Sequence, residues 1–486
     1  ATIKYNPTNG DTLWVRTYNG PANNSDGANA IAVDGSGNVY VTGASWGGLN
    51  MDYATIKYNS LGVQQWVKRY DGPIKGADEA KAIAVDGSGN VYVTGYSYGS
   101  GSVEDYATIK YNSSGDSLWA VRYNGPGNGT DYGQAIAVDG SGNVYVTGYS
   151  YGGSTTGYDY ATIKYNSSGV QQWVKRYNGP GNGTDYGQAM AIDGSGNVYV
   201  TGYSYGDSTT GYDYATIKYN SSGESLWAVR YNGPGNGRDY GQAIAVHQYG
   251  SVFVTGYSYG GSSTNYDYAT IKYNSAGVEQ WVKRYDGPGN GNDYARAIAV
   301  SDDPYANVYV TGHSTGSGTG YDYATIKYSR LGDSIWAERY DKNNTYENAV
   351  AIAYYSGAVY VTGYGESISG FYDYLTIKYT PKTGVKEEKE YVQTPSRENI
   401  VVYPTFTVAN TKIHYSIPRD GRVLLEVFDA SGRLIRILTD EHRKAGTYNA
   451  IWDGRDENGR KVAQGAYFFT LRVDNQAVLR KVLLLR

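Results

Sequence analysis

The side chains that could do chemistry in this sequence are mostly carboxylates, and many recur at the same place in successive copies of one repeated pattern. Four of them open D-G-S-G-N turns: Asp34, Asp86, Asp139 and Asp193. A carboxylate there can accept hydrogen bonds from the backbone two residues further on. Calcium is the alternative, but the turns lack the acidic density of known calcium loops, and other copies place His247, Ser301 or Tyr354 there. We expect a turn role and no metal or other cofactor.

Catalytic arrangements are not evident. The four histidines are His247, His313, His414 and His442, and there is no cysteine. The sequence shows no Ser/His/Asp arrangement, no H-E-x-x-H and no phosphate loop. Glycosidases need two carboxylates about 5–10 Å apart. Such a pair breaks a repeat, whereas these aspartates follow it. The sequence predicts no enzyme, with a hydrolase hidden in one divergent unit as a distant alternative.

Composition narrows the function further. A formal net charge of −4 argues against nucleic acid as a partner. No run approaches the ~18 apolar residues of a membrane span. The chain begins at Ala1 without a charged and apolar leader, which we interpret as a mature or partial product. The 66 glycines and 56 tyrosines indicate an all-β protein with many short strands and tight turns.

The elements that carry these residues follow an internal repeat. The string A-T-I-K-Y, once with Leu first, starts at Ala1, Ala54, Ala107, Ala161, Ala215, Ala269, Ala324 and Leu375. Each unit holds four strand-like pieces, typified by A-I-A-V, V-Y-V-T-G, A-T-I-K-Y and a tryptophan strand. Short Gly turns follow the first and third pieces, and a Pro/Gly loop follows the fourth. Four strands about every 50 residues predict propeller blades, with A-I-A-V innermost and buried on both sides.

The repeat resembles the bacterial seven-bladed β-propeller repeat family. The tryptophan, V-Y-V-T-G and A-I-A-V strands each number seven, which predicts seven four-stranded blades over residues 1–379. The resemblance implies a fold but no common reaction.

The chain ends raise a question of ring closure. We expect residues 13–18 to complete the last blade, which leaves residues 1–6 as a spare strand. Either this strand is redundant, or it pairs with another subunit and drives a homo-oligomer or fibre. The assembly strand of that hypothesis consists of Ala1, Thr2, Ile3, Lys4 and Tyr5.

One face of the predicted propeller is rich in aromatic residues, because the long loops after the second and fourth strands share it. Its predicted binding residues are Trp46, Tyr96, Tyr98, Tyr149, Tyr151, Tyr203, Tyr205, Tyr257 and Tyr259. Such rings suit a glycan or a surface protein. The alternative is that they only pack between neighbouring loops.

A second domain follows a charged linker over residues 380–396. Strand-like pieces over 397–486, with A-S-G-R and D-E-N-G-R turns, predict a β-sandwich. The W-D-G-R-D-E-N-G-R-K-V-A-Q-G-A-Y-F-F block and the final K-V-L-L-L-R resemble flagellar hook-capping immunoglobulin-like domains and type IX secretion sorting domains. The motif residues are Trp452, Asp453, Gly454, Lys481, Val482, Leu483, Leu484, Leu485 and Arg486. The sorting resemblance implies export by secretion machinery to the bacterial cell surface; an ordinary accessory sandwich is the alternative.

These observations together favour a secreted, non-enzymatic structural or adhesive protein of the cell surface. A glycan- or protein-binding module that uses the tyrosine-rich face is the alternative.

Overall fold

The computed structural model describes residues 1–7, 10–99, 101, 103–303, 305–341, 344–366, 372–380, 399–403, 406–407, 411–417, 419–473 and 476–484. All regular elements in these ranges are β-strands, so the all-β prediction is confirmed. The chain divides into two compact units, Ala1–Pro381 and Lys382–Arg486. Among the described residues, no helix has the length and apolar character needed to cross a membrane.

Unit 1 contains seven successive antiparallel sheets, which we call blades 1 to 7. Their first strands are β3 (Asp26–Val33), β7 (Asp78–Val85), β11 (Asp131–Val138), β15 (Asp185–Ile192), β19 (Asp239–Val246), β23 (Asp293–Val300) and β27 (Glu347–Tyr355). Their second strands are β4 (Val39–Trp46), β8 (Val91–Tyr98), β12 (Val144–Gly153), β16 (Val198–Tyr205), β20 (Val252–Tyr259), β24 (Val308–Thr315) and β28 (Ala358–Glu366). First strands of neighbouring blades contact one another, which puts them innermost.

The outer strands complete the blades. The third strands are β5 (Met51–Tyr58), β9 (Glu104–Tyr111), β13 (Gly157–Tyr165), β17 (Tyr212–Tyr219), β21 (Tyr266–Tyr273), β25 (Tyr321–Tyr328) and β29 (Tyr372–Tyr379). The fourth strands are β6 (Gln64–Tyr70), β10 (Ser117–Tyr123), β14 (Gln171–Tyr177), β18 (Ser225–Tyr231), β22 (Glu279–Tyr285) and β26 (Ser334–Tyr340). Blades 1 to 6 are therefore four-stranded, and blade 7 has three described strands.

Apolar side chains of one blade pack against aromatic side chains of the blade before it. In blade 5, Val252, Val254 and Ile271 are fully buried, and they form one cluster with Tyr199 and Tyr214 of blade 4. Successive side chains of a strand point to opposite faces of the sheet, so each blade has one apolar face, and the preceding blade covers it. The innermost strands are less buried than the sequence predicts, since most residues of A-I-A-V are only partly buried.

A polar network ties the long-loop end of each complete blade together. In blade 3, the Arg176 guanidinium lies 2.7 Å from an Asp159 oxygen and donates to Ser150 Oγ at 2.6 Å. Asp131, fully buried, accepts the Gly125 amide at 2.8 Å. The same ion pairs recur as Arg69–Asp52, Arg122–Asp105, Arg230–Asp213, Arg284–Asp267 and Arg339–Asp322. Because the same ion pair recurs in blade after blade, this network is a structural device that repeats with the blade.

The expected ring closure is wrong. Residues 13–18 do not complete the last blade: β2 (Thr12–Arg16) pairs with β1 (Thr2–Tyr5) in a separate two-stranded sheet. Blade 7 already has its own third strand, β29, so β1 does not belong to that blade. Because β2 pairs with β1, β2 lies outside blade 7 as well. Residues 1–6 are therefore not a spare strand but part of a packed hairpin.

Unit 2 consists of two sheets. One contains β30 (Asn399–Tyr403), β32 (Thr411–Ile417) and β35 (Gly446–Trp452). The other contains β31 (Phe406–Thr407), β33 (Gly421–Asp429), β34 (Leu434–Arg443), β36 (Gly465–Val473) and β37 (Gln476–Leu484). Ile413 and Trp452 of the first sheet share one buried cluster with Leu425 and Phe469 of the second, which makes the unit a β-sandwich. Residues 381–398, which hold most of the expected linker, lie outside the described residues.

Candidate binding surface

Tyrosine rings form a continuous series of contacts where the second strands lead into the long loops. We call this series the tyrosine arc; it consists of Tyr96, Tyr132, Tyr149, Tyr186, Tyr203, Tyr240, Tyr257 and Tyr294. Centroids of successive rings lie 4.4 to 5.1 Å apart. Within a blade the two rings are cross-strand partners, as Tyr132 and Tyr149 are. Between blades they meet edge to face, as Tyr149 and Tyr186 do at 4.7 Å.

Every ring of the arc is half-buried, so each keeps part of its surface open to solvent. Burial raises the pKa of Tyr132, Tyr257 and Tyr294 to about 12. Their hydroxyls therefore stay protonated at neutral pH and can donate hydrogen bonds. In blade 6 the Arg296 guanidinium lies over the rings of Tyr257 and Tyr294, at 5.7 and 5.6 Å from the centroids. At the other end of the arc, the Lys81 ammonium lies 5.5 Å from the centre of the Tyr96 ring. The arc thus offers apolar ring surface with neutral donors and a cation near each end.

The nine predicted binding residues fall into two sets in the structure. Tyr96, Tyr149, Tyr203 and Tyr257 belong to the arc. The other five lie at the ends of second strands, where the chain turns: Trp46, Tyr98, Tyr151, Tyr205 and Tyr259. Tyr151 shows their local role, because its ring covers the loop at Gly127 and Gly129, where any side chain would collide with it. This second set packs loops, while the arc faces neighbouring blades.

Sequence reasoning missed half of the arc. Tyr132, Tyr186, Tyr240 and Tyr294 precede the A-I-A-V strands, and the D-Y that introduces each of them was the available signal. In the sequence they belong to the next unit. Only the contact between blades shows that they join the predicted rings.

Carboxylates form two kinds of site in the propeller. In the D-G-S-G-N turns, Asp34 Oδ1 accepts the amides of Ser36 and Asn38 at 2.9 Å, and Oδ2 accepts the Tyr40 hydroxyl at 2.9 Å. Burial acts to raise the pKa of Asp34, but these hydrogen bonds and that of the Asn38 side chain lower it. Asp86, Asp139 and Asp193 have the same partners in their turns. His247 keeps the turn, since its Nδ1 accepts the Tyr249 amide at 3.4 Å.

The second kind lies between blades. Three groups each bring one oxygen per residue within 4.8 Å of the others: Asp52, Asp71 and Asp78; Asp267, Asp286 and Asp293; and Asp322, Asp341 and Glu347. Carboxylate oxygens suit a hard cation such as calcium. An arginine already pairs with one carboxylate of each group, as Arg284 does with Asp267 at 2.7 Å. Other junctions have Asn at the middle position, for example Asn178, and fold alike, so the fold does not require a cation.

The propeller histidines are structural. His313 is 2% exposed, and its Nδ1 lies 2.8 Å from Asn348 Oδ1. Burial lowers its pKa to about 4, which keeps the imidazole neutral. His247 Nε2 lies 3.1 Å from the Asp303 carbonyl oxygen. Among the described residues, neither ring is hydrogen-bonded to a serine or threonine hydroxyl.

The C-terminal motif residues are part of the sandwich. Trp452 is fully buried against Tyr467 at 4.9 Å, and its Nε1 donates to the Arg455 carbonyl at 2.9 Å. Asp453 accepts Arg436 Nη1 at 2.8 Å, and Gly454 has a positive φ of 72° that favours glycine. Lys481, Val482, Leu483 and Leu484 belong to β37, in which Val482 and Leu484 are buried. Leu485 and Arg486 lie outside the described residues.

Fold and surface define a β-propeller protein with an immunoglobulin-like C-terminal domain. Residues 16–50, 65–101, 118–154 and 172–208 match the Beta-propeller repeat family, and residues 404–477 match the FlgD Ig-like domain. The chain therefore contains four repeats of this family within residues 16–208 and, further on, a FlgD-type Ig-like domain. No curated protein matches it.

Three solved structures are among those to which the chain is similar. PorZ, described as an essential bacterial surface component of the type-IX secretion system of Porphyromonas gingivalis, is 16% identical, with a TM-score of 0.39 over 94% of this chain and 59% of PorZ. The present chain thus spans less than two thirds of that protein. Sqt1 from Chaetomium thermophilum is 11% identical, with a TM-score of 0.46 over 71% of this chain and 82% of Sqt1. The polysaccharide lyase Uly1 is 13% identical, with a TM-score of 0.45 over 75% of this chain and 92% of Uly1.

Proposed function

We propose that this protein is an exported, non-catalytic adhesive protein of the cell surface that binds polysaccharide through the tyrosine arc. The arc carries the proposal: neighbouring blades present the same half-exposed rings at the same places. A pocket for one small molecule needs a blade that departs from the rest. Identical sites at a regular interval instead suit a polymer whose own units repeat.

The physical chemistry of the arc fits sugars. Tyrosine rings offer flat apolar surface to the C–H faces of a sugar, and their hydroxyls reach its oxygens. A single ring contributes about 1 kcal/mol, which alone gives weak binding. Several rings that engage one chain together act at high effective concentration, so avidity exceeds the affinity of any single site.

The test compares two pairs of substitutions. Tyr149→Leu with Tyr203→Leu removes two rings of the arc and keeps their bulk. The matched control is Tyr249→Ala with Tyr355→Ala, two rings that are 52% and 74% exposed in or beside the turns between first and second strands. Polysaccharide affinity, measured by co-sedimentation and by a glycan array, should fall about tenfold or more in the arc variant and stay unchanged in the control. Equal affinities of the two variants, with unchanged melting temperatures, would exclude the arc.

Export is the second part of the proposal and rests on the C-terminal domain. The sorting-domain resemblance lies in residues that form its core and turns, such as Trp452 and Gly454. We propose that this folded sandwich is the part that the secretion machinery recognises. Residues 397–486 fused to a periplasmic reporter should carry it to the surface of a type IX secreting bacterium. The control carries Trp452→Ala, which opens the core, and should leave the reporter inside; periplasmic retention of both fusions would identify an accessory sandwich.

A further inference from the structure

The two ends of the tyrosine arc differ in their electrostatics. At the blade 2 end, the Lys81 ammonium that lies near the Tyr96 ring is also 2.6 Å from a Glu79 oxygen. The other Glu79 oxygen accepts the Tyr96 hydroxyl at 2.7 Å. The cation of this end is therefore neutralised by a carboxylate of its own strand, and the terminal ring already uses its hydroxyl.

The cation at the blade 6 end is not balanced in this way. Among the described residues, the Arg296 guanidinium contacts the rings of Tyr257 and Tyr294 and forms no ion pair. The carboxylate of the same strand, that of Asp293, instead accepts the backbone amides of Gly287 at 2.7 Å and Thr315 at 2.9 Å. The positive charge of Arg296 thus stays available to an anion from outside.

The histidine beside this cation carries no charge near neutral pH. The His313 and Tyr294 rings lie 5.0 Å apart. Burial, and after it the charge of Arg296, lower the pKa of His313 to about 4. The imidazole therefore neither balances nor reinforces the charge of Arg296, and anion binding at this end depends on the guanidinium.

A β-bulge of the innermost strand of blade 6 places Arg296. In the pairing of β23 with β24, Ala295 lies opposite Gly312 and Ala297 opposite Thr311, so Arg296 has no residue opposite it. Bulges re-aim a side chain and are frequent beside binding sites. The equivalent bulges of blades 3, 4 and 5 hold Gln134, Gln188 and Gln242. The same backbone position thus carries a neutral amide in three blades and a cation at the blade 6 end of the arc.

We propose that the polysaccharide of the proposed function, on which this step rests, is acidic, and that Arg296 binds a carboxylate of its uronic acid units. A guanidinium is planar and donates two parallel hydrogen bonds to a carboxylate. Arg296 already lies against two rings, so little of its freedom remains to be lost when the polymer binds. The Lys81–Glu79 pair offers no net charge, so the preference for an anion is set at the blade 6 end.

The experiment compares polymers that differ only in charge. Polygalacturonate and alginate are each tested beside their neutral methyl esters, by co-sedimentation with the whole chain at low ionic strength. Arg296→Gln introduces the residue type that blades 3 to 5 carry at this bulge. The matched control is Arg330→Ser, which removes an exposed arginine from the turn between β25 and β26, where other blades have Ser167 and Ser275.

The original chain should bind an acid form about tenfold more tightly than its ester, because only the free carboxylate accepts charge-assisted hydrogen bonds from the guanidinium. Arg296→Gln should reduce this ratio of affinities to about one, and Arg330→Ser should keep it. Equal affinities of the original chain for acid and ester forms of both polymers would overturn the proposal. So would an equal loss of the ratio in the two variants, since net charge alone would then explain the preference.

The esters separate this test from that of the arc itself. Tyr149→Leu with Tyr203→Leu should weaken the binding of esters as well as acids, because the rings contact uncharged parts of the sugars. Ester binding that this pair of substitutions leaves intact would overturn the proposed function. A loss of binding to both forms, with no advantage of the acid in the original chain, would overturn the role of Arg296 alone.

Discussion

The junction between blades 4 and 5 and the junction between blade 7 and the N-terminal hairpin place tyrosines at equivalent positions, and these tyrosines differ in burial. At the first, Tyr214 donates to the Ala269 carbonyl at 3.1 Å and is fully buried. At the second, Tyr374 donates to the Ala1 carbonyl at 3.4 Å and is 61% exposed. Because the sequence repeats, each blade has equivalent side chains on its faces. These side chains are buried only where a four-stranded blade packs against them. Stability should therefore differ between equivalent positions.

The largest expected effect comes from pH and belongs to complete junctions. Burial raises the pKa of Asp131, Asp185, Asp239 and Asp293 to about 6, from an ordinary value of 3.8. The folded protein holds these protons where the unfolded chain has released them. Their contribution to the free energy of unfolding is therefore complete below about pH 4 and lost as the pH rises through about 6.

The melting temperature should consequently fall between about pH 4.5 and about pH 7, followed by calorimetry. Turn carboxylates such as Asp34, with a lowered pKa, act in the opposite sense and lose their contribution below about pH 4. Asp131→Asn should reduce the slope by at most about a quarter, because it removes one of the four groups with a pKa of about 6 while other carboxyls with a raised pKa, such as Asp159, remain. A slope that the substitution leaves intact would show that these groups do not cause it.

A pair of isoleucine substitutions tests the comparison directly. Ile244→Asp places a carboxylate in a buried cluster and should reduce the free energy of unfolding by about 3–5 kcal/mol. Ile31→Asp, at the equivalent exposed position, should change it by less than about 0.5 kcal/mol. Urea denaturation midpoints measure both. Similar losses at the two positions would mean that Ile31 is as buried in solution as Ile244.

The smallest expected effect removes one hydroxyl from each junction. Tyr214→Phe leaves a buried carbonyl without its donor and should cost about 1–2 kcal/mol. At Tyr374 water can replace the hydroxyl, so Tyr374→Phe should be nearly neutral. The two variants differ from the parent by one oxygen each, and chemical denaturation compares them. A greater loss at Tyr374 would reverse the ranking of the two junctions.

Much of the fold follows from the sequence. Alternating side chains, Gly turns and a repeat of about 50 residues define the strands and blades, because these signals are local and each copy repeats them. The β-sandwich was predicted from the same kinds of signal. The turn pattern around Asp34 is local as well, and its acceptor contacts follow from the spacing alone.

Other features depend on contacts between blades. The sequence could not show that Tyr132 meets Tyr96 of the preceding unit, because that contact depends on how neighbouring blades pack. Nor could it show the position of residues 1–6, for which Leu375–Tyr379 offers the same strand again. The two strands share T-I-K-Y, so their own sequence does not show which of them joins the last blade. Their positions are decided by tertiary contacts, such as those of Lys4 with the Ser60 carbonyl and of Lys378 with the Pro7 carbonyl.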